Sequence, residues 1–579
     1  MYKKLFMTAA LVAACLQTNA QTLATEFKTT SEGNPISGNI YCADPTALEY
    51  NGRLYVYGSN DHQQFIANGK KGENTYGEIK SIVVFSTDDM VNWTFHGTID
   101  TKKICSGWTP SVWYKGYGVS WAPSVTWRYN NRTKKDEFFL YFCNSSHGVG
   151  VLKADSPIGP WKSPLTELMI HYDTPGANPL NSNANFDPGV TIDENGVGWI
   201  SFGGLGPSQI MPNAARIVKL KSSMTAVDGS AVVIPAPYHF EANELNVMDG
   251  KFVYTYCSNW AERTDADWNA YKAEHGINAP KPNSCTMCYM VSDDPTNPNS
   301  WVYKGVYGPH PGMGTNNNHS HLQKFKNEYY YLYHGAPLME KMRSAGIIDN
   351  NCGTFRSICV NKATVNEATQ TITPVSPDLT GTSVINGGMN PYVLQEAETM
   401  ATCGGIEYED YTNITKNTSV STLGNEASQN MQVRMKEGSW SCLRSVNFGT
   451  SGASKIMVRA KGEGTIEIRI GRKGAKNGAA IFNIASSEMT DYTVDVDPTK
   501  FNGQKNIFII ASSGEVYVDA WQATDSQPSG IQDIDNNNTV TTQRYDLSGR
   551  RISNSSQHRG IVIEQYTDKN GVKHTRKTM

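Results

Sequence analysis

Three acids and a histidine stand at matching places in repeated units of this chain. Asp44 precedes an Asn51-Gly52 turn and the run Leu54-Tyr55-Val56-Tyr57. Asp187 precedes Asn195-Gly196 and Trp199 to Phe202, and Glu241 precedes Asp249-Gly250 and Phe252 to Tyr256. His319 precedes Lys326-Asn327 and Tyr329 to Tyr333. Counted to the second turn residue, the offset is eight (44 to 52, 319 to 327) or nine (187 to 196, 241 to 250). A single acid in such a place would merely cap its turn. Three at matching offsets argue that the repeats deliver them to one spot, where acids can give and take protons. Asp193 and Asp249 belong to the turns themselves and are set aside. Glu244, three residues after Glu241, competes for its role, but strand alternation sends it to the opposite face.

The elements that must position these groups follow from the same units. Asn-Gly and Asp-Gly pairs favour two-residue hairpin turns, and the aromatic and β-branched runs after them read as strands. A looser fifth copy runs from Trp121-Ala122-Pro123-Ser124 through a longer polar turn to Phe138-Phe142. Five strand–turn–strand units at periods of roughly 50–85 residues predict a five-bladed β-propeller. The first strand of each blade lines the central channel, so one position per blade (Asp44, Ser124, Asp187, Glu241, His319) points inward. Ser124 does not ionise and is expected only to line the channel. Trp93 reads as a packing residue at a blade edge.

At 579 residues the chain holds more than one domain. Residues 1–20 read as a secretory signal: Lys3 and Lys4, an apolar Leu5–Ala14 core, and Thr18-Asn19-Ala20 before Gln21. Val12-Ala13-Ala14-Cys15 keeps a lipoprotein signal open. A net charge of −3 gives no reason to expect nucleic acid, and no apolar run after the N-terminus is long enough to span a membrane. Residues 21–375 are assigned to the propeller and 376–392 to a Pro/Gly/Ser/Asn-rich linker. Short alternating runs over 393–525 predict a β-sandwich, and 526–579 a polar linker and a short β tail with a basic end. Export would permit disulfides, and Cys403 with Cys442 is a candidate pair. Cys285-Thr286-Met287-Cys288 has no second ligand pair for zinc.

Taken in order, Ala43-Asp44-Pro45, Trp121-Ala122-Pro123, Phe186-Asp187-Pro188-Gly189, Phe240-Glu241-Ala242 and Asn318-His319 resemble glycoside hydrolase family 43, in its arabinoxylan arabinofuranohydrolase branch. The resemblance implies a five-bladed propeller and an inverting glycosidase. It implies Asp44 as general base, Glu241 as general acid, and Asp187 as the carboxylate that holds the acid and raises its pKa. Inversion needs base and acid on opposite sides of the sugar, roughly 6.5–9.5 Å apart, a span that different blades can supply. It also implies that His319 sits deep in the channel near a bound calcium and that Arg356 lies near the catalytic carboxylates; Trp121 is a candidate to stack on a sugar face, and all three are assigned to substrate binding. His321 and His334 are read as structural.

Residues 393–525 resemble carbohydrate-binding module family 6, through Glu396-Ala397-Glu398-Thr399, Gly438-Ser439-Trp440 and Val518-Asp519-Ala520-Trp521. That likeness implies a structural calcium held by Glu396, Glu398 and Asp519, since this ion takes hard oxygen ligands. Tyr408, Tyr411 and Trp440 are candidate sugar platforms. The tail, through Tyr545-Asp546-Leu547-Ser548-Gly549-Arg550-Arg551 and Gly560-Ile561-Val562-Ile563, resembles C-terminal sorting domains of type IX secretion substrates and implies delivery to the cell surface or medium.

The expectation is thus an all-β, secreted, monomeric enzyme with no organic cofactor. It would remove α-L-arabinofuranosyl groups from arabinoxylan or its oligosaccharides. Three alternatives stay open at this point: β-xylosidase or arabinanase chemistry in the same fold, a non-catalytic glycan-binding protein, and a retaining fructan-type propeller hydrolase.

Overall fold

The computed structural model describes residues 22–68, 73–109, 118–177, 184–314, 317–408, 431–475, 478–525, 539–545, 551–552, 562–568 and 573–578. The signal segment, Cys15, Tyr411 and Asp546–Arg550 lie outside the described residues. So do Gly560 and Ile561.

Among the described residues of 43–363 lie five antiparallel sheets. The first comprises Ala43–Tyr50, Arg53–Ser59, Ile82–Thr87 and Trp93–Ile99. The second comprises Trp121–Asn130, Lys135–Cys143 and Val149–Ala154, and the third Gly189–Ile192, Gly198–Phe202, Arg216–Leu220 and Val227–Val233. The fourth comprises His239–Met248, Lys251–Ser258, Met287–Ser292 and Val302–Gly308; the fifth Ser320–Phe325, Glu328–Gly335 and Ser357–Ala363. Their first strands pack in succession, and that of the fifth sheet returns to that of the first. This is the cyclic order that a five-bladed propeller requires.

The turns follow from the sequence. Asn51-Gly52, Asp249-Gly250 and Lys326-Asn327 all hold positive φ, as type I′ hairpins demand. Asp193 closes the third hairpin through its Oδ1, which accepts N–H groups from Asn195 and Val197. Aromatic strands fill the spaces between sheets, as where Tyr55, Tyr57, Phe138 and Phe142 share one core with Trp161.

Residues 402–525 form long antiparallel strands, Thr402–Tyr408, Val433–Asn447, Ala453–Ile470, Ala480–Asp495 and Gln504–Asp525, around an apolar core that includes Ile456, Phe482, Ile509 and Trp521. Cys403 and Cys442 are not bridged; no disulfide joins any described cysteine. The register explains this. Cys403 faces Ser441 and Cys442 faces Thr402, so strand alternation puts the two thiols in different cores. Trp440 is no sugar platform either: it is fully buried, and its Nε1–H donates to the Ala24 carbonyl at 2.9 Å.

The linker expected over 376–392 is docked rather than free. Thr382 donates its hydroxyl to Met90 O at 2.8 Å, and the Ile385 N–H reaches Asp89 O at 3.1 Å. Thr399–Met400 then adds a fifth strand to the outer edge of the first sheet, beside the buried Trp93. The described residues beyond Asp525 belong to a separate compact unit, a small antiparallel sheet in the order Arg551–Ile552, Thr539–Tyr545, Val562–Asp568, Lys573–Thr578. No helix of the described residues is long and apolar enough to cross a membrane.

Candidate active site

The inner strands start irregularly, and the irregularity aims the acids. The register slips between Ala43 and Thr46, Trp121 and Ser124, and Glu241 and Glu244: three residues on the inner strand oppose two on its partner. Each slip is a β-bulge, a device that re-aims a side chain. Inside each, one residue takes a left-handed backbone: Asp44 (φ 50°), Ala122 (φ 23°) and Ala242 (φ 61°). Asp187, just before its strand, does the same at φ 47°. Such conformations are uncommon for residues with a β-carbon and cost of order 1–3 kcal/mol each.

The bulges refine the expected one-position-per-blade rule. Asp44 is itself the left-handed residue of its bulge, whereas Glu241 precedes that residue, Ala242. Ser124 ends its bulge at the place that Thr46 holds in the first blade, and both serve as ties between blades. The Ser124 hydroxyl accepts the Val190 N–H at 3.0 Å, and Thr46 Oγ1 accepts the Val125 N–H at 3.3 Å. The second blade sends Trp121 and Ala122 to the cavity instead.

Asp44, Asp187 and Glu241 line one cavity of about 110 Å³ together with Trp121, Phe186, His319, His334 and Arg356. Arg356, 4% exposed, is the anchor. Its Nη1 donates to Asp44 Oδ1 at 2.7 Å. Its Nε and Nη2 grip Asp61 at 3.0 and 2.9 Å, and its backbone N–H donates to Asp61 Oδ2 at 2.9 Å. The guanidinium also lies 5.1 Å from the Tyr76 ring centroid. His334, expected to be structural, belongs to this wall: its Nδ1 accepts the Asp44 N–H at 3.1 Å, and its Nε2 lies 2.9 Å from Asn317 Oδ1. His319 Nδ1 sits 3.7 Å from Asp44 Oδ1 and 4.0 Å from Asp187 Oδ2.

Asp187 is clamped between blades. Its Oδ2 accepts the Ala242 N–H at 2.9 Å, its carbonyl accepts from Asn243 Nδ2 at 2.9 Å, and the Cys143 thiol lies 3.7 Å from Oδ1. Tyr254 and His239 in turn hold Asn243 Oδ1. Glu244 is outside this cavity. It is fully buried, and its Oε1 lies 3.2 Å from His321 Nδ1.

The three carboxyls differ electrostatically. Burial alone would raise Asp44, but Arg356, then His334 and His319, hold it well below the usual carboxylate range. Burial and the charge of Asp44 push Asp187 up to about 7. Burial, then Asp187 and Asp44, push Glu241 well above its ordinary value. Asp44 is thus biased toward the ionised form and Glu241 toward the protonated form, a separation of the kind that an acid–base pair can use. Burial lowers His319 to about 4, so it is a neutral ring.

Asp61 was not legible as a site residue. It opens a short helix, Asp61–Asn68, and in sequence reads as an acid at a helix start. The Trp121 indole forms part of the wall, with its Nε1–H on Tyr76 O at 3.0 Å. A second, outer hollow of about 490 Å³ shares Tyr76, Glu241, Asn317 and Arg356 with the inner one and adds Phe240, Trp260 and Asn351.

Glu396, Glu398 and Asp519 are buried in the second β region. Ala397 N–H donates to Asp519 O at 2.9 Å, and burial, then Glu396, raises Glu398 well above its ordinary value. Among the described residues no group of three or more His, Cys, Asp or Glu side chains stands ready to hold a metal ion.

A ring of antiparallel sheets that brings a carboxyl biased toward ionisation and one biased toward protonation to one cavity is an arrangement that a glycoside hydrolase can use. The family model of glycosyl hydrolases family 43 matches residues 32–368, and the chain belongs to that family. It is 33% identical over 514 residues to an arabinoxylan arabinofuranohydrolase of Paenibacillus polymyxa, covering 86% of this chain and 75% of that one. It is 34% identical over 464 residues to one of Bacillus subtilis, covering 78% and 83%. The crystal structure of a family 43 arabinoxylan arabinofuranohydrolase from Bacillus subtilis, in complex with cellotetraose, matches with a TM-score of 0.73 and 31% identity over 87% of this chain and 99% of that one.

Proposed function

We propose that this hydrolase releases α-L-arabinofuranosyl side groups from arabinoxylan or arabino-xylo-oligosaccharides by single displacement with inversion. The observation that carries the reading is the opposite protonation bias of Asp44 and Glu241 on one small cavity. Asp44, held ionised by Arg356, takes a proton from water as that water attacks the anomeric carbon. Glu241, held protonated, gives its proton to the leaving glycosidic oxygen. Asp187 fixes the bulge that carries Glu241, through Ala242, and where it is ionised its charge adds to burial in raising the acid. The narrow inner cavity suits one furanose ring, and the outer hollow beside Trp260 suits the chain that bears it. The names of the two relatives and of the structural neighbour support arabinoxylan as the polymer.

The 393–525 region is read as a family 6 sandwich module that raises the local concentration of polymer. A calcium at Glu396, Glu398 and Asp519 rests on the module resemblance and on donor chemistry, hard oxygens with Glu398 Oε2 buried and without a hydrogen bond, although the three carboxylates do not stand as a ready-made ligand group. A channel calcium near His319 rests on the family resemblance alone, since a ring nitrogen is a poor ligand for an ion that takes hard oxygens and water would have to complete its shell. Stripping calcium with a chelator is expected to lower the Tm and restoring it to raise the Tm; a Tm indifferent to both would remove the metal from the account. The export signal and sorting tail imply a secreted or surface enzyme.

Analysis of the sugars freed from wheat arabinoxylan, with parallel assays on aryl arabinofuranoside and aryl xyloside, tests the substrate. Arabinose and preference for the arabinofuranoside are expected. Xylose as the main product would overturn the reading in favour of β-xylosidase action.

A further inference from the structure

We infer that Cys257 and Cys285 are a dithiol that closes to a disulfide, fastening the excursion between them to the sheet behind Glu241. Cys257 is the direct cross-strand partner of Glu241. Cys285 ends the excursion that leaves this strand, and its N–H donates to the Ser258 carbonyl at 3.0 Å. Cys285 takes a left-handed backbone, φ 55°, seldom held by residues with a β-carbon. Its sulfur lies 4.0 Å from that of Cys257. A disulfide needs about 2.05 Å, so a small shift of one thiol completes it. Both are buried, at 0% and 3% exposed, in the same core.

Cys288, three residues after Cys285, does not compete for this bond: it packs in another core, with its sulfur against the Tyr303 hydroxyl at 3.7 Å.

The two thiols are also unlike in reactivity. The hydrogen bond from Cys257, with His310 beside it, lowers Cys285 to about 6, while the same bond and burial raise Cys257 well above its ordinary value. This bias favours Cys285 as the attacking thiol and Cys257 as the resolving thiol. With a small-molecule disulfide as oxidant, the Cys285 thiolate attacks one sulfur and expels the first small thiolate. Cys257 then loses its proton, attacks the Cys285 sulfur and expels the second. The protein dithiol gives up two electrons, and the small disulfide becomes two thiols.

The bridge would close a loop that carries the Asp265–His275 helix and Trp260, which is 50% exposed in the outer hollow. Cross-linking restricts the unfolded chain and so stabilises the native form.

The full chain would be equilibrated over graded ratios of oxidised to reduced glutathione, its remaining thiols alkylated under denaturing conditions, and its peptides mapped by mass spectrometry. A linked Cys257–Cys285 peptide is expected, with a Tm higher than that of the reduced protein and reversal by reductant. Cys288→Ser should keep the link and the shift; Cys257→Ser and Cys285→Ser should lose both. Alkylation of both Cys257 and Cys285 in the oxidised wild-type protein, or a link running through Cys288, would overturn the proposal without need of any variant.

Discussion

Arg356 and Glu241 set the chemistry by opposite means: a guanidinium keeps Asp44 charged, and burial among acids keeps Glu241 neutral. Asp44→Asn and Glu241→Gln are each expected to cut kcat by about 10²–10⁴-fold while retention on immobilised arabinoxylan is kept; near-normal turnover in either variant would refute its role. The pH profile follows from the same shifts. Asp44 is ionised throughout the working range, so activity is lost on the alkaline side, as pH rises through the raised Glu241 pKa. Asp187→Asn removes a charge that raises Glu241, so the alkaline limb of kcat/KM should move to lower pH. Stability has the matching sign. A carboxyl raised in the fold contributes fully below its unfolded value, about 4.3 for Glu, and loses that contribution as pH rises through the folded value. Glu241→Gln should therefore lose less Tm than the parent over that rise, as calorimetry can show. Asp61→Ala would leave a buried guanidinium half-paired, at a cost of about 3–5 kcal/mol, readable by urea unfolding. The acids were legible because their repeats share offsets. Asp61 and His334 were not, because a helix-start acid and a histidine near a strand end carry no mark of the distant group they meet.

At the scale of the element, the strained bulges are what turn a strand into a site. Ala242 carries the left-handed turn beside Glu241 and donates its N–H to Asp187. A β-branched residue there meets a forbidden backbone, so Ala242→Val should cost about 1–3 kcal/mol and reduce kcat. Ala242→Gly should keep its activity, because glycine accepts that φ. Equal activity in both variants would show that the bulge does not aim Glu241. Hairpin turns were readable from Asn-Gly and Asp-Gly pairs. The bulges were not, because Ala122 and Ala242 look like ordinary strand residues and their slip appears only in pairing. That slip is why Ser124, at the expected inward position, instead ties blades together.

Across the whole molecule, the propeller and the second β region are interlocked rather than strung together. Thr399–Met400 pairs with Trp93–Thr94, the Arg444 N–H donates to Asn92 Oδ1 at 2.8 Å, and Asn92 Nδ2 returns a bond to Arg444 O at 2.8 Å. A chain ending at residue 392 would bare the edge beside Trp93, so it should lose solubility or Tm. Two well-separated calorimetric transitions for residues 22–525 would contradict this. Composition marked where the linker lies but not that it docks, since the groups that hold it, such as Met90 O and Asp89 O, are backbone atoms on another element. The claim that joins all three scales is that the ring sets an ionised Asp44 against a protonated Glu241 with water between. Proton NMR of the first-formed sugar, recorded before mutarotation, measures it most directly: the account predicts the anomer opposite to that of the substrate, and release of the same anomer would contradict it.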